Sequence, residues 1–163
     1  MNTYTTISSP LGELLLVGDE NGLVSVSMLG QRNAPAVQPG WRRDTGPFAE
    51  VIRQLDEYFA GDRTEFDVRF AESGTDFQRR VWRALDEIPY GTTTTYGALA
   101  ARLGLARDRI QALGAAIGAN PQLIIRPCHR VIGADGSMRG YAGGVERKVR
   151  LLAHEGAMQP ALF

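Results

Sequence analysis

The apolar pattern of this chain changes its period once, near Glu72-Ser73-Gly74, and that change restricts the fold more than any other feature. Before it, short stretches alternate apolar and polar residues, the spacing of strands with one wet face. Residues 3–8 are β-branched and aromatic, Ser9-Pro10-Leu11-Gly12 reads as a turn, and residues 13–17 resume strand character. Asn21-Gly22 is a hairpin signal, because both residues tolerate positive φ, and residues 23–28 alternate after it. One helical stripe of Phe48, Val51, Ile52, Leu55 and Phe59 follows, and Phe66, Val68 and Phe70 predict a further strand. Residues 30–46 carry no period and read as a loop, with Trp41 placed to pin it to the core. Residues 1–72 are therefore expected to be an α/β scaffold, a small antiparallel sheet with a helix.

Residues 73–163 read as a second, mostly helical domain. Thr75-Asp76-Phe77-Gln78 has the spacing of a capping box, and Phe77, Val81, Trp82, Leu85 and Ile88 share one face of the helix it starts. Thr95 is placed to cap a short helix over 96–102, and a second is expected from about Arg107 to Ala119. Two short helices across a tight glycine turn form the helix-turn-helix pattern, whose second helix can enter a DNA groove. Gly114, Ala115, Ala116, Gly118 and Ala119 make that helix thin, although interior glycine costs up to about 1 kcal/mol. Two readings follow: close packing on a neighbouring helix, or a fit to a groove. A last helix, about 145–154, is expected to show Val145, Val149 and Leu152 on one side and to stop at Gly156.

An apolar content of 44% is enough for a core, and the formal net charge is zero. The charge is uneven: residues 1–70 carry 6 Arg against 10 acids, whereas residues 71–163 carry 12 bases against 8 acids. A polyanion would go to the second part. No signal-peptide pattern or long apolar run is seen, so a cytoplasmic, reducing setting is expected.

Cys128 is the single cysteine and His129 one of two histidines. One thiol makes no internal disulfide, and one Cys with two His is too few for common soft-ligand metal sites, so neither metal nor cofactor is expected. Cys128 is either a small buried hydrophobe or a nucleophile. As a nucleophile it needs a base: His129 is adjacent, though in extended backbone the two side chains would point apart, so local turning or a water must connect them. Glu155 is the acid best placed to hold the other ring nitrogen, and His154 reads as a surface or capping residue.

The run Ile124-Ile125-Arg126-Pro127-Cys128-His129-Arg130-Val131-Ile132, with Asn120-Pro121, Gly140-Tyr141-Ala142-Gly143-Gly144, Lys148 and residues 151–156, resembles the methylated-DNA–protein-cysteine methyltransferases, also called O6-alkylguanine-DNA alkyltransferases. Thr75-Asp76-Phe77-Gln78, Val81-Trp82, Ile88-Pro89-Tyr90-Gly91 and Tyr96-Gly97 match as well. The resemblance implies binding of duplex DNA from the minor groove as a monomer, extrusion of the damaged base, and single-turnover transfer of its alkyl group to Cys128. It leaves cooperative assembly on DNA and activity on O4-alkylthymine open.

By the same resemblance His129 takes the thiol proton through water, Glu155 polarises His129, and Tyr96 donates to the guanine ring nitrogen N3. Asn120 ties the turn beside the thiol and Lys148 supports it electrostatically. Tyr141, Ala142 and Val131 line the base pocket, the Ala142 N–H facing O6 and carbonyls near Cys128 and Val131 accepting from the exocyclic amine. Thr95, Arg107, Arg109, Ala112, Gly114, Ala115 and Arg130 are the DNA-facing candidates. One departure stands out: Gln111 occupies the position where the family usually has an Arg that fills the space of the flipped base. The expectation is retained chemistry with weakened base delivery. The rival readings are a cysteine hydrolase or acyltransferase using Cys128, His129 and Glu155, and a DNA-binding module without catalysis.

Overall fold

A computed structural model describes residues 2–138 and 140–158. The chain forms two compact units, Met1–Ser73 with Pro121–Ile125, and Gly74–Asn120 with Arg126–Phe163.

In the first unit, β1 (Thr3–Ser9), β2 (Gly12–Asp19) and β3 (Gly22–Met28) form an antiparallel meander, and β4 (Arg42–Arg43) adds a short parallel edge to β1, giving the order β3-β2-β1-β4. The sheet is thus mixed. Its hairpin turn is Glu20-Asn21, one residue earlier than the Asn21-Gly22 signal predicts, since Asp19 pairs with Gly22. Gly22 is needed for another reason: at φ 133° a Cβ there would lie 2.5 Å from the Arg69 carbonyl oxygen.

The predicted strand over 66–70 reduces to a single bridge between Leu23 and Phe70. The cause is a side chain, because buried Gln54 donates to the Asp67 carbonyl at 2.9 Å and accepts from the Asp67 N–H at 2.8 Å. With both backbone groups satisfied there, a ladder has nothing to gain.

Helix α1 (Ala49–Phe59) follows a 3-10 turn over Gly46–Phe48 and buries Val51, Gln54, Leu55 and Tyr58. Its inner face includes Tyr58 where the apolar stripe predicted Phe59. Trp41, expected to pin the 30–46 loop, is only partly covered. Pro121–Ile125 completes this unit at the free side of β3: the Val26 N–H donates to Pro121 and the Leu123 N–H to Val26. Ile124 is held there at φ 73°, which for a β-branched side chain costs about 1–3 kcal/mol.

The second unit begins with α2 (Asp76–Leu85), whose capping box is formed as the spacing predicts, Gln78 N–H to Thr75 Oγ1 at 3.1 Å and Thr75 N–H to Gln78 Oε1 at 3.0 Å. α3 (Tyr96–Arg102) and α4 (Ile110–Gly118) are the helix-turn-helix pair, with residues 107–109 a 3-10 turn instead of the first turn of α4. Trp82 of α2 donates from Nε1 to the Ala116 carbonyl at 2.8 Å, which fixes α4 on α2. β5 (Thr94–Thr95) and β6 (Val131–Ile132) pair in parallel, bringing the start of α3 beside the segment that carries Cys128. α5 (Val145–His154) buries Lys148, Leu151 and Leu152, whereas Val145 is exposed. The predicted Val145-Val149-Leu152 face is rotated because the inner position that a hydropathy pattern assigns to solvent is held by a lysine. Among the described residues no helix is long and apolar enough to cross a membrane.

Candidate active site

Pro127 is followed by a 3-10 turn over Cys128–Arg130, so the chain supplies the local turning that two adjacent, cooperating side chains require. Cys128, His129 and Arg130 are all buried, His129 completely. The turn is tied at its base by the Cys128 N–H donating to the Arg126 carbonyl at 2.8 Å and the Arg130 N–H donating to Pro127 at 3.0 Å.

Glu155, which caps the C-terminus of α5, is the hub of this turn. Its carboxylate accepts from His129 Nε2 at 2.8 Å and from Arg130 Nε and Nη2 at 2.7 and 3.0 Å. A carboxylate only accepts, so Nε2 carries the imidazole proton and Nδ1 presents its lone pair. Nδ1 is buried without a hydrogen-bond partner among the described residues. Burial lowers the His129 pKa below the ordinary histidine value; Glu155 opposes this, while the Arg130 and Lys148 charges add to it. The ring is neutral at pH 7 and has one free site for a proton.

The thiol is held in its protonated form. Burial pushes the Cys128 pKa up to about 11, against the opposing effects of a hydrogen bond from Asn120 and the charge of Lys148. At pH 7 the thiolate is then roughly one molecule in ten thousand. The site therefore stores an unreactive thiol beside a neutral base.

The other predicted site residues fall in the same unit. Asn120 donates from Nδ2 to the Arg126 carbonyl at 2.9 Å as well as facing the thiol. Lys148 is fully buried and donates to the Val131 carbonyl at 2.6 Å. Burial lowers its pKa, with Cys128 opposing. The Val131 carbonyl thus already accepts one strong hydrogen bond, and the Cys128 carbonyl accepts from the Val131 N–H.

Tyr141 is buried, its ring edge-on to His129 with centroids 6.4 Å apart, and its hydroxyl has no hydrogen-bond partner among the described residues. Burial raises its pKa well above the ordinary tyrosine value, Cys128 and Glu155 adding to the effect and Arg147 opposing it. The Tyr96 hydroxyl lies against Gly140, where a Cβ would approach it to 2.7 Å. Ala142 is half-buried beside this wall.

On the helix-turn-helix, Gln111, Arg107, Arg109 and Ala115 are exposed, and Ala112 and Gly114 are half-covered. Arg109 stacks 4.8 Å over the Phe77 ring. The Thr95 hydroxyl caps α3, accepting from the Ala98 N–H at 3.0 Å. Arg130 departs from its expected DNA-facing place: it is buried, bound twice to Glu155, donates to the Ile88 carbonyl and lies over the Tyr90 ring. A guanidinium so engaged has no fork left for a phosphate.

Sequence reasoning missed a second buried arginine. Arg126 pairs with Asp86 through Nε–Oδ1 at 3.3 Å and Nη2–Oδ2 at 3.2 Å. Forty residues separate the two, and no local pattern links them. Among the described residues no group of three or more His, Cys, Asp or Glu is placed to hold a metal ion.

Comparison with known proteins gives one answer for both units. Residues 2–71 match the family described as 6-O-methylguanine DNA methyltransferase, ribonuclease-like domain, and residues 76–157 the one described as its DNA binding domain. The methylated-DNA–protein-cysteine methyltransferase of Mycolicibacterium paratuberculosis is 47% identical over 99% of this chain and 96% of its own length. That of Methanosarcina acetivorans is 46% identical over 94% and 98%. A crystal structure of Mycobacterium tuberculosis OGT in complex with DNA superposes with a TM-score of 0.87 at 47% identity, covering 98% of this chain and 96% of that one. With matches of this extent around the lone buried cysteine, the chain belongs to the methylated-DNA–protein-cysteine methyltransferase family.

Proposed function

We propose that this chain repairs O6-alkylguanine in duplex DNA by moving the alkyl group to the sulfur of Cys128, once per molecule. As a member of its family it is a single-turnover alkyltransferase that acts on DNA, and Cys128 is the one cysteine available. The observation that carries the assignment of roles is the His129–Glu155 hydrogen bond, which leaves Nδ1 as the base for a thiol that burial keeps protonated.

In the reaction the S–C bond forms as the bond from the alkyl carbon to O6 breaks. The electron pair of that bond goes to guanine, and the thiol proton goes to Nδ1 of His129 through a water. Glu155 stabilises the imidazolium, and Tyr96 donates to N3 of the leaving guanine, where negative charge accumulates. Tyr141 and the Ala142 N–H shape the pocket, the latter facing O6, and the carbonyls of Cys128 and Val131 select guanine by accepting from its amine. A thioether is not hydrolysed, so the protein is consumed. Intact mass after incubation with excess O6-methylguanine duplex tests this: one methyl-sized increase, mapped to Cys128, is expected. Repeated turnover on an ester or amide would instead identify a hydrolase.

α4 supplies the DNA contact, entering the minor groove. A Cβ added at Gly114 or Gly118 would meet nothing within 4 Å, so neither glycine serves packing inside the protein. Their cost in helix propensity is explained by an outside surface that approaches closely. Gly114→Ala is expected to raise stability by up to about 1 kcal/mol in urea unfolding while weakening duplex binding. A variant that gains stability and binds DNA unchanged would argue against groove entry by this face.

Gln111 is exposed on the same helix and lacks the charge and reach of arginine. Gln111→Arg is expected to strengthen duplex binding, steepen its logarithmic salt dependence by about 1, and accelerate repair. Unchanged binding and rate would rule out Gln111 as a weakness in base delivery. The first unit serves as scaffold, with 121–125 belonging to it where the sequence reading put all of 73–163 in the second part, and the second unit serves as the DNA-binding and transfer domain of a cytoplasmic monomer. Alkylation overpacks the buried site, so the alkylated protein is expected to be less stable by about 1–3 kcal/mol, read as a lower melting temperature.

A further inference from the structure

The nucleophile is hung on one backbone carbonyl. Arg126 C=O accepts both the Cys128 N–H at 2.8 Å and Asn120 Nδ2 at 2.9 Å, and Asn120 in turn hydrogen-bonds the thiol. The position of Cys128 and of the amide facing it is therefore set by where residue 126 is held.

Residue 126 is held by its own side chain. Its guanidinium is buried, with a side-chain exposure of 8%, and is met by Asp86 in two near-parallel hydrogen bonds of 3.3 and 3.2 Å. Asp86 is the C-cap of α2, a helix whose first turn is closed by a capping box and whose Trp82 is bonded to α4. The carboxylate is thus fixed to a rigid element, and a planar fork on a planar carboxylate fixes orientation as well as distance. We propose that Asp86 is a positioning residue for alkyl transfer: through Arg126 it fixes the carbonyl from which Asn120 and Cys128 are suspended. This rests on the reading of Cys128 as the alkyl acceptor.

The physical consequence of losing Asp86 follows from the burial of its partner. Loss of Asp86 removes the two hydrogen bonds that orient the buried guanidinium, and a guanidinium that loses them shifts toward water and takes the backbone of residue 126 with it. Displacement of a reacting group by about 1 Å costs on the order of a hundredfold in rate. The Asn120 hydrogen bond that opposes the effect of burial on the thiol is weakened in the same movement, so the thiol ionises less readily.

The test compares Asp86→Ala, Asp86→Glu and Arg126→Met with the unaltered chain. Arg126→Met releases the tether and leaves behind only the Asp86 carboxylate, which at 38% exposure reaches water, so it reports even if Asp86→Ala fails to fold. Four quantities are read: the rate of Cys128 modification by O6-benzylguanine as free base, the pH profile of its modification by iodoacetamide, affinity for undamaged duplex, and melting temperature. Asp86→Ala and Arg126→Met are expected to slow modification by about 10- to 100-fold and move the pH profile to the alkaline side. Duplex affinity stays within about twofold, since Asp86 lies outside the DNA-facing set, and Asp86→Glu recovers most of the rate. A normal rate in Arg126→Met overturns the proposal. So does slowing with an unmoved pH profile, or slowing only in proportion to the unfolded fraction. If the unaltered chain gives no Cys128 adduct with either the free base or alkylated duplex, the alkyl-transfer reading falls first and the proposal with it.

Discussion

Glu155→Gln is expected to destabilise this protein by about 3–5 kcal/mol and to abolish alkyl transfer at neutral pH. The carboxylate accepts three hydrogen bonds, two from Arg130 and one from His129, and all three residues are buried. Glutamine keeps the shape, but it removes the negative charge and turns one oxygen into a donor that faces other donors. The Arg130 guanidinium is left charged in the interior without an anionic partner among the described residues, held by neutral groups such as the Ile88 carbonyl and the Tyr90 ring. Urea unfolding with an unchanged m-value and a lower midpoint is the measurement. Adding Arg130→Met to Glu155→Gln should recover much of the stability, because the unpaired charge is then gone, yet not the activity, because His129 still lacks its acid. A single variant within about 1 kcal/mol of the parent would show that the buried pair is not what holds this turn.

Cys128→Ala is expected to leave no covalent adduct with O6-alkylguanine DNA while retaining duplex binding, since the thiol is buried and the exposed residues of α4 are untouched by the substitution. Its companion measurement is the pH dependence of the unaltered thiol toward iodoacetamide, which makes no use of guanine recognition. A thiol with its pKa pushed up to about 11 loses its proton only as pH rises, and the thiolate is the nucleophile. Reactivity should climb about tenfold per pH unit from neutrality and level off near that value. A plateau near pH 8 would mean that burial does not suppress the thiolate, and that His129 is not needed to release it. Repair of DNA should not share this steep climb, because His129 is neutral at pH 7 and takes the proton during the transfer itself.

The difference between those two pH profiles states what the site is built to do. A low-pKa cysteine would react with any electrophile that reached it. Here desolvation keeps the thiol quiet, and the base is positioned by an acid spent on a salt bridge with Arg130 as much as on His129. That sharing also explains why Arg130, adjacent to His129 in the chain, points into the protein. In a 3-10 turn successive side chains fan out by about 120°, so Cys128, His129 and Arg130 take three directions and two of them meet Glu155.

Much of this was legible in the chain. Turn residues and alternation located the meander, and the Thr75-to-Gln78 spacing located the start of α2, because these depend on interactions within a few residues. Cys128, His129 and Glu155 could be named from residue chemistry and a resemblance to a family. The readings that failed share a cause. The strand at 66–70 was displaced by the Gln54 side chain, the inner face of α5 by a buried lysine, and the DNA-facing place of Arg130 by a carboxylate 25 residues away. In each case a long polar side chain, which a hydropathy pattern assigns to water, found a fixed partner inside.

What the sequence determined by itself is therefore the meander, the capped start of α2 and the choice of one thiol as candidate nucleophile, because these follow from local spacing and from having a single cysteine. Only the tertiary structure decided the protonation of that thiol, the tautomer of His129, and the pairing of Arg126 with Asp86 and of Arg130 with Glu155. Those depend on burial and on which charges meet within about 3 Å, and desolvation makes such contacts decisive only after the chain has closed around them.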